Sequence, residues 1–262
     1  MALLVAEHLG VSFPTAAGPV TAVERVSFAV GRGECLAIVG ESGSGKTQLC
    51  LAAVGLAARG ARVQGRVLHA GEDLLRLPAT AQRRLRGRHI GFVFQDPAVA
   101  LTPHLSVASQ LMEIRRTHHG GDAATLRACA REALSRVRIA DPERRLDCYP
   151  HELSGGMRQR VALAAALIAA PGIVIADEPT TALDVTVQAG IVALLREQVA
   201  AGLALILVTH DFGVVAGLAD RVMVMRGGCV VEEGPVRALL AAPRHAYTRT
   251  LLAAVPRVAR QP

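Results

Sequence analysis

The only lysine of this chain, Lys46, lies near the end of a glycine-rich segment, residues 40–47. Every other Lys or Arg position holds arginine. A compact ammonium group can approach phosphate oxygens inside a narrow loop, whereas the planar guanidinium group is wider and stiffer. A genome rich in G and C would explain why lysine is rare, but not where the remaining one lies. Its position therefore predicts that Lys46 binds phosphate.

The segment around Lys46 has the spacing of a phosphate-binding loop, GxxxxGK[ST]. Its members are Gly40, Glu41, Ser42, Gly43, Ser44, Gly45, Lys46 and Thr47. It follows an apolar run that is typical of a strand and opens a predicted helix, as this motif requires. Backbone N–H groups and the helix dipole would bind the phosphates, with Lys46 at the β- and γ-phosphates and Thr47 on Mg²⁺. The alternative interpretation is a plain glycine-rich turn between strand and helix.

Two acidic residues, Asp177 and Glu178, follow the apolar run 173–176. Such a run is typical of a parallel strand buried on both faces, and ligands bind at the carboxyl ends of these strands. We therefore predict that Asp177 binds Mg²⁺, directly or through water. Glu178 is predicted to orient and deprotonate an attacking water. The alternative is a solvated pair at the end of a strand.

Composition limits the class of protein without choosing a partner. The 262 residues are 51% hydrophobic, which suits one large α/β domain or two small ones. The net charge of +7 is compatible with phosphate ligands, nucleic acid or an anionic membrane surface. Five cysteines without CxxC spacing indicate reduced thiols in a cytosolic protein. No signal peptide is visible, and the most apolar run, 161–176, is too short to span a bilayer.

Hydrophobic periodicity predicts alternating strands and helices. Strands are expected at 9–13, 20–30, 35–39, 89–94, 173–176 and 203–208, with a hairpin at 221–225 and 229–232. Helices are expected from residue 46, across 96–170 with a break at 117–122, and in the tail from 235.

A further glycine pair, Gly155 and Gly156, follows Ser154 and precedes a helix predicted at 158–170. Ser154 could be an ordinary N-cap followed by a turn. Alternatively, the three residues form a second anion site, free of bulky side chains, at a helix N-terminus.

With this segment the sequence resembles the ATP-binding-cassette (ABC) family, whose signature motif matches residues 153–156. Gln95, Asp184 and His210 match further family motifs in the expected order. The resemblance implies that Gln95 senses Mg²⁺ and leads into a helical lobe. It also implies that Asp184 lies at a dimer interface and that His210 contacts the γ-phosphate. Phe13 lies where the family stacks an aromatic ring on adenine.

The resemblance extends over essentially the whole chain. The segments 94–97, 154–160 and 242–256 resemble the ATPases of peptide and nickel importers. The implied fold is an α/β P-loop ATPase core with an N-terminal antiparallel β-subdomain and an inserted α-helical subdomain at about 96–165. The implied domains are an ABC nucleotide-binding domain, 1–234, and a C-terminal tail, 235–262.

The function implied by the resemblance is ATP hydrolysis that powers the import of peptides, nickel or other metal chelates. The cofactors are ATP and Mg²⁺. The implied partners are a second ATPase subunit, in a homo- or heterodimer, two membrane permease subunits and, indirectly, an extracytoplasmic substrate-binding protein. The chain would lie on the cytoplasmic face of the plasma membrane and bind no nucleic acid. The alternative is a soluble ABC-type ATPase that acts on nucleic acid or a protein complex.

Overall fold

The strands form two separate sheets in the computed structural model, which describes residues 2–181 and 183–254. The smaller sheet contains β1 (Ala2–Thr15), β2 (Gly18–Gly31), β4 (Arg62–His69) and β5 (Glu72–Asp73). Their order is β2-β1-β4-β5, and every pairing is antiparallel. This confirms the antiparallel β-subdomain expected on the N-terminal side.

The larger sheet has six strands. They are β3 (Cys35–Val39), β6 (Ile90–Val93), β7 (Ile173–Asp177), β8 (Ala204–Val208), β9 (Arg221–Arg226) and β10 (Cys229–Pro235). The order is β10-β9-β3-β8-β7-β6, and only β10 is antiparallel to its neighbour. All residues of β3, β7 and β8 are buried, as their continuous apolar runs predicted.

The described residues contain eleven α-helices. They are α1 (Lys46–Ala53), α2 (Ala79–Arg88), α3 (Pro97–Ala100), α4 (Val107–His119), α5 (Ala123–Arg136), α6 (Pro142–Leu146), α7 (Gly155–Leu167), α8 (Val185–Ala200), α9 (Phe212–Leu218), α10 (Val236–Ala241) and α11 (Ala246–Ala253). Helices α3 to α7 are inserted between β6 and β7, where a helical lobe was expected. The tail prediction for 255–262 lies outside the described residues.

Two helix boundaries differ from the prediction. Helix α7 begins at Gly155, three residues early, because the Ser154 hydroxyl accepts the N–H of Met157 and caps it. It ends at Leu167, because Ala170 has a left-handed backbone with φ of +52°. The break expected at 117–122 is confined to 120–122, since Asp122 caps the next helix.

The hydrophobic core lies on both faces of the larger sheet. Side chains of β7 alternate, with Val174 in one cluster and Ile173 and Ile175 in the other. The cluster of Val174 includes residues of α4, α5, α7 and α8, whereas the cluster of Ile175 includes β1, β2 and α1. The central sheet is therefore held between the inserted helices and the N-terminal sheet, and its carboxyl edge remains open for a site.

Helix α7 packs closely on β6 at Gly91. A Cβ atom there would lie 2.4 Å from the carbonyl oxygen of Ala166. We expect Gly91→Ala to lower the free energy of unfolding by about 1–3 kcal/mol, because a backbone atom must move. The control is Gly172→Ala, since a Cβ at this exposed position meets no atom within 4 Å. Urea denaturation should show a lower midpoint for Gly91→Ala alone, and equal midpoints would contradict the packing argument.

Candidate functional site

The phosphate-binding loop runs between β3 and α1 in a space that admits only glycine at two positions. A Cβ atom on Gly40 would lie 2.2 Å from the carbonyl oxygen of Met225. One on Gly45 would lie 2.2 Å from the carbonyl oxygen of Ala22. Both glycines also have positive φ, +157° and +97°, which other residues rarely adopt. The glycine spacing is therefore required by the backbones of β9 and β2 as well as by any ligand.

The first turn of α1 is free to bind an anion. Its N-cap is Gly45, which offers no side-chain cap, and no acidic residue occupies the first turn. Seven other α-helices among the described residues have a side-chain cap, provided by Asp96, Ser106, Asp122, Ser154, Asp184, Asp211 and His245. The N–H groups at the start of α1 thus remain available, at the positive end of the helix dipole.

The Lys46 ammonium group lies inside the loop, with only 6% of the residue exposed. It donates hydrogen bonds to the carbonyl oxygens of Gly40 and Glu41, both at 2.8 Å. Burial lowers the pKa of Lys46, whereas the nearby carboxylates of Glu178 and Asp177 act in the opposite direction. The structure therefore brings together the lysine and the two acids that were predicted to share a site.

Asp177 is the last residue of β7 and is 3% exposed. Its Oδ1 atom accepts no hydrogen bond from any residue that the structure describes. Burial raises the pKa of this carboxyl, and the Thr47 hydroxyl and the Lys46 ammonium group oppose the shift. A buried carboxylate oxygen without a donor beside a hydroxyl suits a hard cation such as Mg²⁺, bound directly or through water.

Three predicted residues meet at one carboxylate oxygen, Oε2 of Glu178. Gln95 donates to it from Nε2 at 3.2 Å, and Nδ1 of His210 lies 3.4 Å away. The Thr181 hydroxyl also donates to it, at 2.8 Å. Thr181 was not predicted, since nothing in the sequence distinguishes it from the neighbouring Thr180. The contacts hold the Glu178 carboxylate in one position, as a general base requires.

The backbone of Glu178 is unusual. Its φ is +47°, in the left-handed region, which costs a residue other than glycine about 1–2 kcal/mol. Its N–H donates to the carbonyl oxygen of Val208, the last residue of β8, at 2.9 Å. His210 follows two residues later with a side chain that is 64% exposed. The ends of β7 and β8 together place the acid and the histidine at the open edge of the sheet.

The Ser154 segment lies apart from the phosphate-binding loop. No hydrogen bond within 2–181 and 183–254 joins Ser154, Gly155 or Gly156 to that loop. A Cβ on Gly156 would lie 2.8 Å from the side chain of Val187, so α7 and α8 start side by side. Asp184 caps α8 by accepting the N–H of Val187 at 2.8 Å. Ser154 is thus the N-cap of α7, and its hydroxyl is not hydrogen-bonded to this chain's own loop in the described residues.

The remaining predicted contact, Phe13, is partly buried and packs against the core cluster that contains β1 and β2. Its adenine stacking stays a prediction.

No group of three or more His, Cys, Asp or Glu within the described ranges could hold a metal ion by itself. All five cysteines are free. No helix in the part of the chain that the structure describes is long and apolar enough to cross a membrane.

Comparisons with known proteins define the class. The family described as ABC transporter matches residues 23–181. A solved cassette, the dimeric post-hydrolysis state of MJ0796 bound to ADP and Pi, superimposes with a TM-score of 0.81 and 28% identity, covering 89% of this chain and 99% of that chain. The chain belongs to the ABC transporter family, and it is an ATP-binding-cassette ATPase.

Within this family the chain is similar to ATPases of peptide transport. The family described as oligopeptide/dipeptide transporter, C-terminal region, matches residues 231–261. The dipeptide transport ATP-binding protein DppD of Escherichia coli is 47% identical over 99% of this chain and 80% of its own length. The oligopeptide transport ATP-binding protein OppD of Haemophilus influenzae is 44% identical over 98% of this chain and 80% of its own length.

Proposed function

We propose that this chain is the ATP-hydrolysing subunit of an importer for dipeptides or oligopeptides. The observation that carries the proposal is the combination of a cassette with the C-terminal region of oligopeptide/dipeptide transporters at 231–261. Relatives named for dipeptide and oligopeptide transport, 44–47% identical over nearly the whole chain, support it. Nickel and other metal chelates are the alternative cargo. The membrane subunits and the binding protein, rather than this chain, would select between the cargoes.

In the proposed site, the loop 40–47 surrounds the phosphates of ATP. Lys46 exchanges its bonds to the loop carbonyls for bonds to the β- and γ-phosphate oxygens, which its central position in the loop supports. The uncapped N-terminus of α1 adds its N–H groups and its dipole. Phe13 stacks on the adenine ring.

Thr47 and Asp177 hold Mg²⁺, with Gln95 as a further oxygen ligand. The buried Oδ1 of Asp177, which no described donor contacts, supports this assignment. When bound, Mg²⁺ neutralises charge on the transferred phosphoryl group.

Glu178 is the proposed general base. It accepts a proton from a water molecule whose oxygen then attacks the γ-phosphorus of ATP, and ADP is the leaving group. The three groups around Oε2, from Gln95, Thr181 and His210, fix the carboxylate for this transfer. His210 moves from this contact to the γ-phosphate, which its exposed side chain permits.

A second ATPase subunit completes each site. Ser154, Gly155 and Gly156 bind the γ-phosphate held by the other subunit's loop, and Asp184 lies at the interface between the two subunits. Two observations support this: among the described residues no hydrogen bond joins Ser154 to this chain's own loop, and the solved neighbour is a dimer. The chain provides both halves of a site, so a homodimer and a heterodimer are equally allowed.

The proposed complex acts at the membrane. The helical lobe, about 96–165, contacts one of two membrane permease subunits on the cytoplasmic face, and Gln95 links the position of the lobe to the nucleotide. The domain 1–234 performs the chemistry and 235–262 forms the tail, which the match at 231–261 supports. An extracytoplasmic binding protein delivers the peptide, and no nucleic acid takes part.

The test is purification of the tagged chain from detergent-solubilised native membranes, with mass spectrometry of what accompanies it. We expect two polytopic proteins, and a second ATPase if the pair is a heterodimer. In parallel, a strain that carries Glu178→Gln should lose uptake of labelled peptides and keep uptake of Ni²⁺. Loss of Ni²⁺ uptake alone would assign the complex to metal import, and capture of only soluble protein or nucleic acid would refute the importer.

A further inference from the structure

The C-terminal tail contacts the phosphate-binding loop directly. The hydroxyl of Tyr247, in α11, accepts a hydrogen bond from the backbone N–H of Glu41 at 3.0 Å. Tyr247 is 6% exposed, and the Arg226 guanidinium group lies over its ring, 4.9 Å from the centroid. A loop residue and a tail residue 206 positions apart are thus joined by a single, well-packed side chain.

The tail is itself anchored where it enters α11. The Glu232 carboxylate, on β10, accepts the N–H groups of Arg244 and His245 at 2.8 and 3.0 Å. Nδ1 of His245 then accepts the N–H of Tyr247 at 3.1 Å. These bonds fix the position of the Tyr247 backbone, so its hydroxyl is presented to the loop by a rigid support.

The same part of the chain holds the loop at a second point. The N–H of Gly228, in the turn between β9 and β10, donates to the carbonyl oxygen of Ser44 at 3.1 Å. The loop is therefore held near both ends by residues that follow β9. Because the Glu41 N–H donates to the Tyr247 hydroxyl, it is not one of the loop N–H groups that are left to bind phosphate.

We propose that Tyr247 is a positioning residue for ATP binding, which acts through Glu41 and touches no phosphate. Its hydroxyl keeps the entry to the loop in the binding conformation before ATP arrives, and so reduces the ordering that ATP must impose. Once ATP is bound, the phosphate contacts hold the loop and the tyrosine contributes little more. The inference rests on the proposed binding of ATP to the loop 40–47.

The test is Tyr247→Phe in the chain of 262 residues, which removes the hydroxyl and keeps the ring beneath Arg226. Losing one hydrogen bond that pre-forms the loop should raise KM for ATP about three- to tenfold. kcat should stay within about twofold, because the loop of the ATP complex is ordered in both proteins. Tyr149→Phe is the matched control, since the other tyrosine is 41% exposed and its ring stacks on His151.

Hydrogen exchange of the peptide that contains residues 40–47 gives an independent measurement. Without nucleotide, Tyr247→Phe should exchange faster than wild type in this peptide, while β7 stays equally protected. With ATP the difference should disappear. Faster exchange throughout the chain, with kcat and KM both impaired, would mean that the hydroxyl is merely structural, and wild-type KM and exchange would mean that the contact has no role.

Lys46→Ala tests the ATP site separately from the Tyr247 contact. Lys46→Ala should abolish ATP binding if the site is correct, whatever Tyr247 does. If wild type and Lys46→Ala bind ATP equally, the proposed site is wrong. If only Lys46→Ala is impaired, and Tyr247→Phe matches the control in KM and in exchange, the site stands and the tail has no part in it.

Discussion

Replacing Glu178 by glutamine is expected to reduce ATP turnover by about 10²–10³-fold while ATP binding is retained. Glutamine has nearly the same shape, and its carbonyl oxygen can still accept the bonds from Gln95 and Thr181 that now reach Oε2. What it lacks is the ability to accept a proton from water. We therefore expect KM to change little, kcat to fall, and a dimer with uncleaved ATP to accumulate. Steady-state phosphate release and light scattering after gel filtration measure these effects.

The control for this change is Glu197→Gln. Glu197, in α8, is 57% exposed and pairs with Arg138 on the surface, and none of its hydrogen bonds in the described residues goes to the loop 40–47. Exposed pairs contribute about 0–1 kcal/mol, so its loss should leave turnover unchanged. If Glu178→Gln hydrolyses ATP as fast as wild type, another group is the base, and the contacts of Gln95, Thr181 and His210 with Oε2 need a different explanation.

The fold was predictable where burial leaves a clear apolar pattern in the sequence. Strands β3, β7 and β8 are buried on both faces, and each appears in the sequence as a continuous apolar run. Strands β4 and β5 and helices α2, α8 and α9 were not predicted, and for β4 and α2 the reason is clear. In β4 only Val67 is buried, and α2 has no buried residue, so neither element has an apolar face that periodicity could reveal.

The sequence predicted which residues form the candidate site, but not the contacts between them. Lys46, Asp177 and Gln95 belong to motifs with fixed residue types and spacing. Such motifs can be recognised from the sequence alone. The contacts of Thr181 and Tyr247 depend on which strand ends lie side by side. Tyr247 reaches Glu41 only because β9 pairs with β3 and carries the tail to the loop. A contact of this kind leaves no pattern in the sequence around either residue.

The sole lysine offers a direct test of the geometry of the loop. Twenty-nine positions carry Lys or Arg, and at the surface the two residues serve similar roles. Inside the loop they do not, because Lys46 is 6% exposed and its Nζ fits between two carbonyl oxygens 2.8 Å away. A guanidinium group has five donors in a rigid plane and cannot enter this space without leaving some of them unpaired.

We therefore expect Lys46→Arg to weaken ATP binding at least about tenfold although the charge is kept, since hydrogen bonds to charged groups contribute about 1.5–3 kcal/mol each. Calorimetry in a Glu178→Gln background measures the affinity without consuming ATP. The reverse exchange at the surface, Arg66→Lys, is the control, because Arg66 is 56% exposed and pairs with Glu7. If Lys46→Arg and Arg66→Lys bind ATP alike, positive charge alone is sufficient in the loop, and the survival of one lysine there has no chemical cause.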